Sequence, residues 1–462
     1  MKKYLDGDTI VAISTPVGKS GIGIVRLSGR GALLIGDKIF RAANGKRPST
    51  VPSHTLLYGR IVEKKEVVDE VLLSVMRAPR TYTREDIVEI NCHSGIVVLK
   101  KILDIALENG ARLASPGEFT KRAFLNGRID LAQAEAVLDI INSKTKEALK
   151  AALGQLQGKL SRKVRHLGQN LSEAIVQLEA AIDFSDQDIQ PQTLQRMRTR
   201  IEGVGRDIKA LLATAQRGTA LREGVSCVIC GRPNVGKSSL LNALLKRDRA
   251  IVTPVPGTTR DVLEETIELA GVPLCLADTA GIVAAGNLAE KEAVRRSKRS
   301  IAQAEIVLFV LDASQKMTAG DRKIARAIAQ KHVFVVVNKQ DLHQRLGLKE
   351  AQKLLPGKTI VGISALKGSG LALLEKKLSA FLWGGKVGAD ADILVTNLRH
   401  AQALKKAQKL LAGALRAIDD GQGAEIISFE LNAAQRSLGE IIGQLSNEDL
   451  LGRIFGQFCI GK

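Results

Sequence analysis

Aromatic residues are scarce in this sequence: 10 Phe, 3 Tyr and 1 Trp amount to 3% of 462 residues. A nucleic-acid surface built mainly on base stacking needs many such rings, so that architecture is disfavoured. No run of about 18 apolar residues occurs, and no segment is expected to span a membrane as a helix. The opening residues, Met1 to Asp8, are polar and lack the apolar stretch of a signal peptide. Cysteine is sparse and scattered; Cys92, Cys227, Cys230, Cys275 and Cys459 form no disulfide framework. These absences together predict a cytoplasmic protein. Positive charge, by contrast, is plentiful. Lys and Arg number 68 against 48 Asp and Glu, a net +20. Such a surplus favours nucleic acid or another polyanion as a neighbour, although basic surfaces also serve solubility. A hydrophobic fraction of 45% supports a large core, and the length suits about two to four domains.

Hydrophobic patterning divides the chain into four stretches. Residues 1–126 mix strand-like runs (10–13, 22–27, 71–75, 87–90) with a Gly-rich turn, Ser20-Gly21-Ile22-Gly23, and a helix over 96–108 ending at Asn109-Gly110. This predicts an α+β domain. Residues 127–218 turn helical: Leu131, Ala134, Val137, Leu138 and Ile141 keep a 3.6-residue spacing, as do Leu171, Ile175, Leu178 and Ile182. Residues 219–383 alternate strands with helices, the signature of a mainly parallel sheet with crossover helices. Helical spacing returns in 384–462 with Leu398, Leu404, Leu411, Leu438 and Ile441. The economical architecture is an α/β domain inserted into a helical domain whose halves flank it. No internal repeat or low-complexity tract occurs.

The chemistry is concentrated in the third stretch. Gly231-Arg232-Pro233-Asn234-Val235-Gly236-Lys237-Ser238 fits the phosphate-loop pattern, between an apolar strand over 225–229 and a helix over 239–245. Backbone N–H groups of such a loop, through Ser239, cradle phosphates; Lys237 reaches the β- and γ-phosphates and Ser238 holds Mg²⁺. Asp278-Thr279-Ala280-Gly281 follows a strand, placing an Asp to support Mg²⁺ and a Gly N–H near the γ-phosphate. Asn338-Lys339-Gln340-Asp341 follows another strand. The Asp341 carboxylate can accept both the N1–H and the 2-amino hydrogens of guanine, a pair that adenine lacks. Ser364-Ala365-Leu366 backs up the base with a backbone N–H. Together these motifs predict a Ras-like, GTP-binding P-loop fold.

The water-orienting group is not evident from the motifs. The position after Gly281 is Ile282, which cannot hydrogen-bond water, and Asn287, Glu290 and Glu292 are the nearby candidates. The first switch position holds Thr253-Pro254-Val255-Pro256-Gly257-Thr258-Thr259-Arg260. Thr259 can complete a Mg²⁺ shell, and Arg260 is either an arginine finger in cis or a solvated residue. Cys227 and Cys230 have C-x-x-C spacing but lie on one strand, where residues three apart face opposite ways, against metal or redox use. Cys459, four from the terminus, precedes a terminal Lys that is not a usual prenylation residue.

Beyond these motifs the chain resembles the MnmE (TrmE) family over almost its full length. The resemblance rests on Asp8-Thr9-Ile10-Val11-Ala12, Gly21-Ile22-Gly23-Ile24-Val25-Arg26, Tyr82-Thr83-Arg84-Glu85-Asp86, the block Pro116-Gly117-Glu118-Phe119-Thr120-Lys121-Arg122, Arg399-His400, and the ending Phe458-Cys459-Ile460-Gly461-Lys462. It implies an N-terminal folate-binding and dimerisation domain (1–126), a helical domain in two parts (127–218 and 384–462) and an inserted GTPase domain (219–383). It also implies a homodimer and an FAD-dependent partner, MnmG (GidA). The implied activity is potassium-dependent GTP hydrolysis coupled to installing a carboxymethylaminomethyl-type group on carbon 5 of the wobble uridine of certain tRNAs. The one-carbon unit would come from a 5-formyl- or methylene-tetrahydrofolate.

By the same resemblance Asn234, Thr253, Val255 and Thr258 would hold potassium, and a monovalent cation there weakens the case for Arg260. Glu290, twelve residues after Asp278, would orient the water. Arg26, Glu89, Arg128 and Lys462 would contact folate. Cys459 would be a partly buried structural cysteine rather than a nucleophile, and His93 and His400 structural or hydrogen-bonding. Several positions depart from the family pattern. Arg128 replaces Lys, Val283 replaces Arg, 290–297 alters the second switch, and Asn91-Cys92-His93-Ser94-Gly95 replaces His-Cys-His-Gly-Gly. The nucleotide motifs alone also suit an RNA-binding GTPase switch in ribosome assembly without one-carbon chemistry; folate binding separates the two.

Overall fold

The computed structural model describes residues 7–183, 191–247, 264–278, 300–383, 392–444 and 447–462. Local periodicity translates directly into elements. In the segment Thr55–Glu63, buried Leu57, Gly59 and Ile61 alternate with exposed Leu56, Tyr58 and Arg60, the mark of a strand covered on one face. The chain forms two compact units: Met1–Leu138 with Leu156–Gln169 and Gln435–Lys462, and Asp139–Gln155 with Asn170–Ala434.

The first unit contains a seven-stranded sheet of β1 (Thr9–Ile13), β2 (Gly23–Ser28), β3 (Phe40–Ala42), β4 (Thr55–Glu63), β5 (Glu66–Met76), β6 (Ile87–Cys92) and β7 (Ala111–Leu113). The spatial order is β3-β4-β5-β6-β2-β1-β7, antiparallel throughout except for β1 and β7. Helices Ala32–Ile39 and Ile96–Glu108 supply Leu33, Ile35, Ile39, Leu99, Ile102 and Ile105 to one core with Val25, Leu27, Leu73 and Val75 of the sheet. Each such side chain contributes about 1.5–3 kcal/mol on full burial. The opposite face carries the register pair Arg26 and Glu89. The predicted helix over 96–108 and its stop at Asn109 match the observed element and cap.

Charged residues of three sequence motifs meet in one knot. Arg122, 9% exposed, reaches Asp8 Oδ1 at 2.7 Å, Glu85 Oε1 at 3.1 Å and Glu118 Oε1 at 3.0 Å. Arg112 bridges Asp8 and Glu118 at 2.8 and 2.7 Å. Burial alone would push the Glu118 carboxyl up; hydrogen bonds from Arg112, the Ser115 N–H and Arg122 outweigh it and hold the group below the usual range. The Pro-Gly-Glu-Phe block is thus, in this structure, a packing and charge-pairing device.

The second unit holds a six-stranded sheet: β8 (Val225–Cys230), β9 (Glu264–Leu269), β10 (Val272–Asp278), β11 (Ile306–Asp312), β12 (His332–Asn338) and β13 (Thr359–Gly362). Its order is β13-β12-β11-β8-β10-β9, parallel but for the β9–β10 hairpin. All seven residues of β11 are buried, as expected of a central parallel strand covered on both faces. Cys227 joins the core on one face and Cys230 the core on the other. With the two thiols on opposite faces of the sheet they do not meet as one metal clip or redox couple, and burial pushes the Cys230 thiol up to about 12. Chain order turns at β8, whose carboxyl end is where open α/β sheets bind ligands. The expected boundary between 218 and 219 falls inside the helix Ala215–Glu223.

Replacing Arg122 with Ala should remove one of the two guanidinium partners of Glu118 and Asp8 and the guanidinium that meets Glu85, and lower stability by about 3 kcal/mol, measured by denaturant unfolding. Because the Glu118 and Asp8 pKa values lie below their ordinary values, their stabilisation is present above about pH 4.5 and is lost as pH falls through the folded-state values. In the Arg122→Ala variant this acid dependence should shrink.

Candidate functional site

The phosphate-loop pattern lies where the sequence puts it, between β8 and the helix Lys237–Arg247. Gly236 has φ +95°, and a Cβ there would sit 2.2 Å from Asn338 Nδ2, so only glycine fits. Val235 is buried, whereas Asn234, Ser238 and Ser239 are exposed along the loop and the first turn of the helix. Lys237 Nζ donates to Arg232 O at 2.8 Å. Arg232, a variable position of the motif, is itself locked: its Nε donates to Asp321 Oδ1 at 2.8 Å. Asp321 is in turn the third residue of the capping box on the helix Ala319–Ile328.

The base-recognition segments are bound to this loop by side chains. Asn338, 2% exposed, donates from Nδ2 to Val235 O and accepts the Ala365 N–H on Oδ1, both at 3.0 Å. Lys339, at φ +64°, donates to Asn234 O at 2.8 Å and to Asp312 Oδ2 at 2.7 Å. Gln340 N–H bonds Ile363 O at 3.0 Å, closing the two segments together. A hydrogen bond from Ser364 holds the Asp341 carboxyl below its ordinary range, keeping it ionised. Ser364 is buried and Leu366 is 86% exposed at the loop rim. The phosphate-loop segment is in this way tied to the Asn338–Asp341 and Ser364–Leu366 segments.

Asp312 was not among the residues singled out from the sequence, although it positions Lys339. It is 3% exposed and ends β11, in register with Asn338 of β12. Burial pushes its carboxyl up, but bonds from Lys339 and Ser314 overcome this and hold it below the usual range. The available signal was an acidic residue closing an otherwise apolar run, Ile306 to Leu311. Arg232 and Asp321 had no comparable signal.

Asp278 ends β10, in register with Ile229. Thr253, Pro254, Val255, Pro256, Gly257, Thr258, Thr259, Arg260, Thr279, Ala280, Gly281, Ile282, Val283, Asn287, Glu290 and Glu292 lie outside the described residues.

In the first unit, Arg26 Nε and Glu89 Oε1 pair at 2.6 Å, with side chains 21% and 22% exposed. The end of the chain returns to this pair. Gly461 O accepts from Arg26 at 3.3 Å and from Ser14 Oγ at 3.1 Å. Gly461 has φ +97°, and a Cβ would meet Ile13 O at 2.4 Å, so the ending can approach β1 only as glycine. Arg26 also lies over the Phe119 ring, 5.6 Å from its centroid. Arg128 makes a different set of contacts, stacking on Tyr82 at 4.7 Å and donating to Tyr82 O at 3.3 Å. Lys462 is partly exposed beside Gly461.

Cys459 is exposed, which corrects the expectation of a partly buried thiol: the turn that carries its O towards Gly117 N–H faces the side chain outward. The Cys92 thiol, by contrast, is buried and pushed up to about 11. His93 bonds Asp69 at 2.7 Å and His400 is buried beside Arg399, consistent with hydrogen-bonding roles. Among the described residues no cluster of His, Cys, Asp and Glu could hold a metal ion, and no helix is long and apolar enough to cross a membrane.

Asp312→Ala should free Lys339 and weaken GTP binding about tenfold, roughly 1.4 kcal/mol, with the fold retained; titration of a fluorescent guanine nucleotide checks this.

Comparisons with known proteins identify the family. Residues 9–128 match the family model for the N-terminus of the GTP-binding protein TrmE, and residues 131–459 match the MnmE helical domain. The tRNA modification GTPase MnmE of Geobacillus kaustophilus is 47% identical over 98% of this chain and 99% of its own. That of Thermoanaerobacter pseudethanolicus is 48% identical over the same shares. A solved structure of Era from Aquifex aeolicus is 30% identical over 40% of this chain and 66% of its own, with a TM-score of 0.28. With near-complete coverage at that identity, the chain belongs to the MnmE family of tRNA modification GTPases, and it is a GTP hydrolase.

Proposed function

We propose that this GTPase is the potassium-dependent, GTP-hydrolysing component of the complex that adds a carboxymethylaminomethyl group to carbon 5 of the wobble uridine of certain tRNAs. A tetrahydrofolate derivative supplies the one-carbon unit, and MnmG is the FAD-dependent partner. The observation that carries the folate part is the return of the chain end to the Arg26–Glu89 pair. A pterin edge, like guanine, can give two hydrogens to one carboxylate, and Glu89 is accessible enough to take them. Arg26, Arg128 and Lys462 supply positive charge for the anionic end of a folate.

The domain division goes with this reading: 1–126 for folate and dimerisation, 127–218 and 384–462 helical, 219–383 for the nucleotide. A homodimer is supported by apolar Leu56, Tyr58 and Leu72, exposed together on the uncovered face of β4 and β5.

In the nucleotide site the glycine cradle and Lys237 bind phosphates, and Asp341 reads the base. Ser238 and Thr259 would hold Mg²⁺, and Asn234, Thr253, Val255 and Thr258 would hold potassium. Both ions would supply positive charge against the charge that develops during hydrolysis. Glu290 orients the attacking water in place of the residue that Ile282 cannot be.

Two experiments test the proposal. Glu89→Gln should weaken tetrahydrofolate binding at least tenfold in equilibrium dialysis and leave wobble uridines undermodified when it replaces the wild-type gene; unchanged affinity would remove Glu89 from the site. Steady-state GTP hydrolysis should rise at least tenfold in potassium over sodium at equal ionic strength. Glu290→Ala should abolish that rise while GTP affinity stays within a few-fold, and equal rates in the two salts would refute the potassium site.

A further inference from the structure

The net charge of +20 is not evenly spread. Residues 313–358 carry ten Lys and Arg against three acidic residues, a surplus of seven in about a tenth of the chain. The three acids are committed. Asp321 pairs with Arg232, Asp341 is hydrogen-bonded by Ser364, and Glu350 accepts the Gly347 N–H at 3.3 Å.

This stretch lays two helices, Ala319–Ile328 and Leu348–Leu354, on one face of the six-stranded sheet. Ala325 and Ile328 of the first and Ala351 of the second join the same core as Val307, Phe309 and Val335. A groove of about 380 Å³ lies between the two helices. Arg322 and Arg326 line it from the first helix and Lys353 from the second, and Glu350 is the one carboxylate among the lining residues. Met317, Ala325, Ala329 and Leu354 give the groove an apolar lining. Arg322 and Arg326 stand one helical turn apart, so they share a face of their helix. All three cations are exposed, and none forms an ion pair with a described residue. Surfaces that only confer solubility intersperse both signs, whereas three cations around one concavity call for an anionic occupant.

We propose that the groove between these helices is a binding site for the phosphate backbone of tRNA. The assignment rests on tRNA being the substrate of the reaction proposed above. A guanidinium can fork onto two oxygens of one phosphate, and Lys353 meets the same strand from the opposite wall as a point charge. The apolar lining accepts the carbon face of the ribose. With few aromatics in the chain, binding comes from phosphate contacts rather than stacked bases, so it should be insensitive to tRNA sequence and sensitive to salt. The groove thereby gives a place to part of the charge surplus that the nucleotide and folate sites do not use.

The test uses the full-length chain and an unmodified tRNA transcript, with affinity read by fluorescence anisotropy over a range of salt. Arg322 is left in place, because it follows Asp321, which holds Arg232 of the phosphate loop. Arg326→Ala with Lys353→Ala should weaken binding at least tenfold at low salt. It should also lower the slope of log affinity against log salt by up to about 1.8, at about 0.9 per phosphate contact. The loss should be similar for tRNAs of different sequence, and GTP hydrolysis should stay at the wild-type rate. Arg326→Lys with Lys353→Arg should keep most of the affinity and the full slope. The control is Lys376→Ala with Lys377→Ala, an equal loss of charge on the exposed side of the helix Leu371–Leu382, which packs on the other face of the sheet. Its affinity should stay within twofold of wild type. Wild-type affinity and slope in the Arg326 and Lys353 alanine double would overturn the assignment, as would an equal loss in the control. So would a wild-type chain that binds no tRNA, or a defect confined to binding poly-L-glutamate, which would mark a site for an acidic protein. Wobble-nucleoside analysis separates this from the underlying reading: if the wild-type gene fails to restore modification in a deletion strain, it is the proposed function that fails.

Discussion

The nucleotide site depends on the buried carboxamide of Asn338. Its amide nitrogen holds the phosphate loop through Val235 O, and its oxygen holds the Ser-Ala-Leu segment through the Ala365 N–H. Removing the first bond would leave the buried Val235 carbonyl unsatisfied, at about 1–3 kcal/mol. The carboxamide can approach so closely only because Gly236 has no Cβ. Lys339 repeats the arrangement one residue on, with its ammonium shared between Asn234 O and the Asp312 carboxylate. The phosphate loop and the Asn338–Asp341 and Ser364–Leu366 segments are in this way tied to one another.

Charge pairing does the corresponding work in the first unit. Arg112 and Arg122 gather Asp8, Glu85 and Glu118 from separate motifs, and the desolvation of Arg122 and Glu118 is offset only because both are met on several sides. The Arg26–Glu89 pair on the uncovered face of the sheet stays partly exposed and receives the end of the chain. The two charge clusters differ in what they join: the knot ties together residues of separate motifs, while the pair at β2 and β6 meets the returning chain end.

The departures from the family pattern that fall within the described residues have local accounts. Ser94 is buried and bonds the backbone N–H and carbonyl of Ser20, so it pins the Gly-rich turn before β2. Asn91 donates to Leu72 O across β5 and β6, and His93 is held by Asp69. Arg128, in place of Lys, stacks its planar guanidinium on Tyr82 while also donating to its carbonyl, a combination that an ammonium does not offer.

Much of the fold was legible in the sequence because strands, helices and the phosphate loop are set by chemistry within a few residues. Short apolar runs marked β1, β2 and β6, the 3.6-residue spacing marked the helices, and Gly236 of the nucleotide loop specified a backbone that other residues cannot adopt. The order of the nucleotide motifs likewise implied a guanine site. What the sequence left open was the identity of long-range partners. Lys339 finds Asp312 27 residues away, Arg232 finds Asp321 89 away, and Arg26 finds Gly461 435 away. Those pairings depend on strand register, on which crossover lands on which face, and on where the chain end returns. Composition determined that a surplus of positive charge exists, but only packing decides which cations are neutralised.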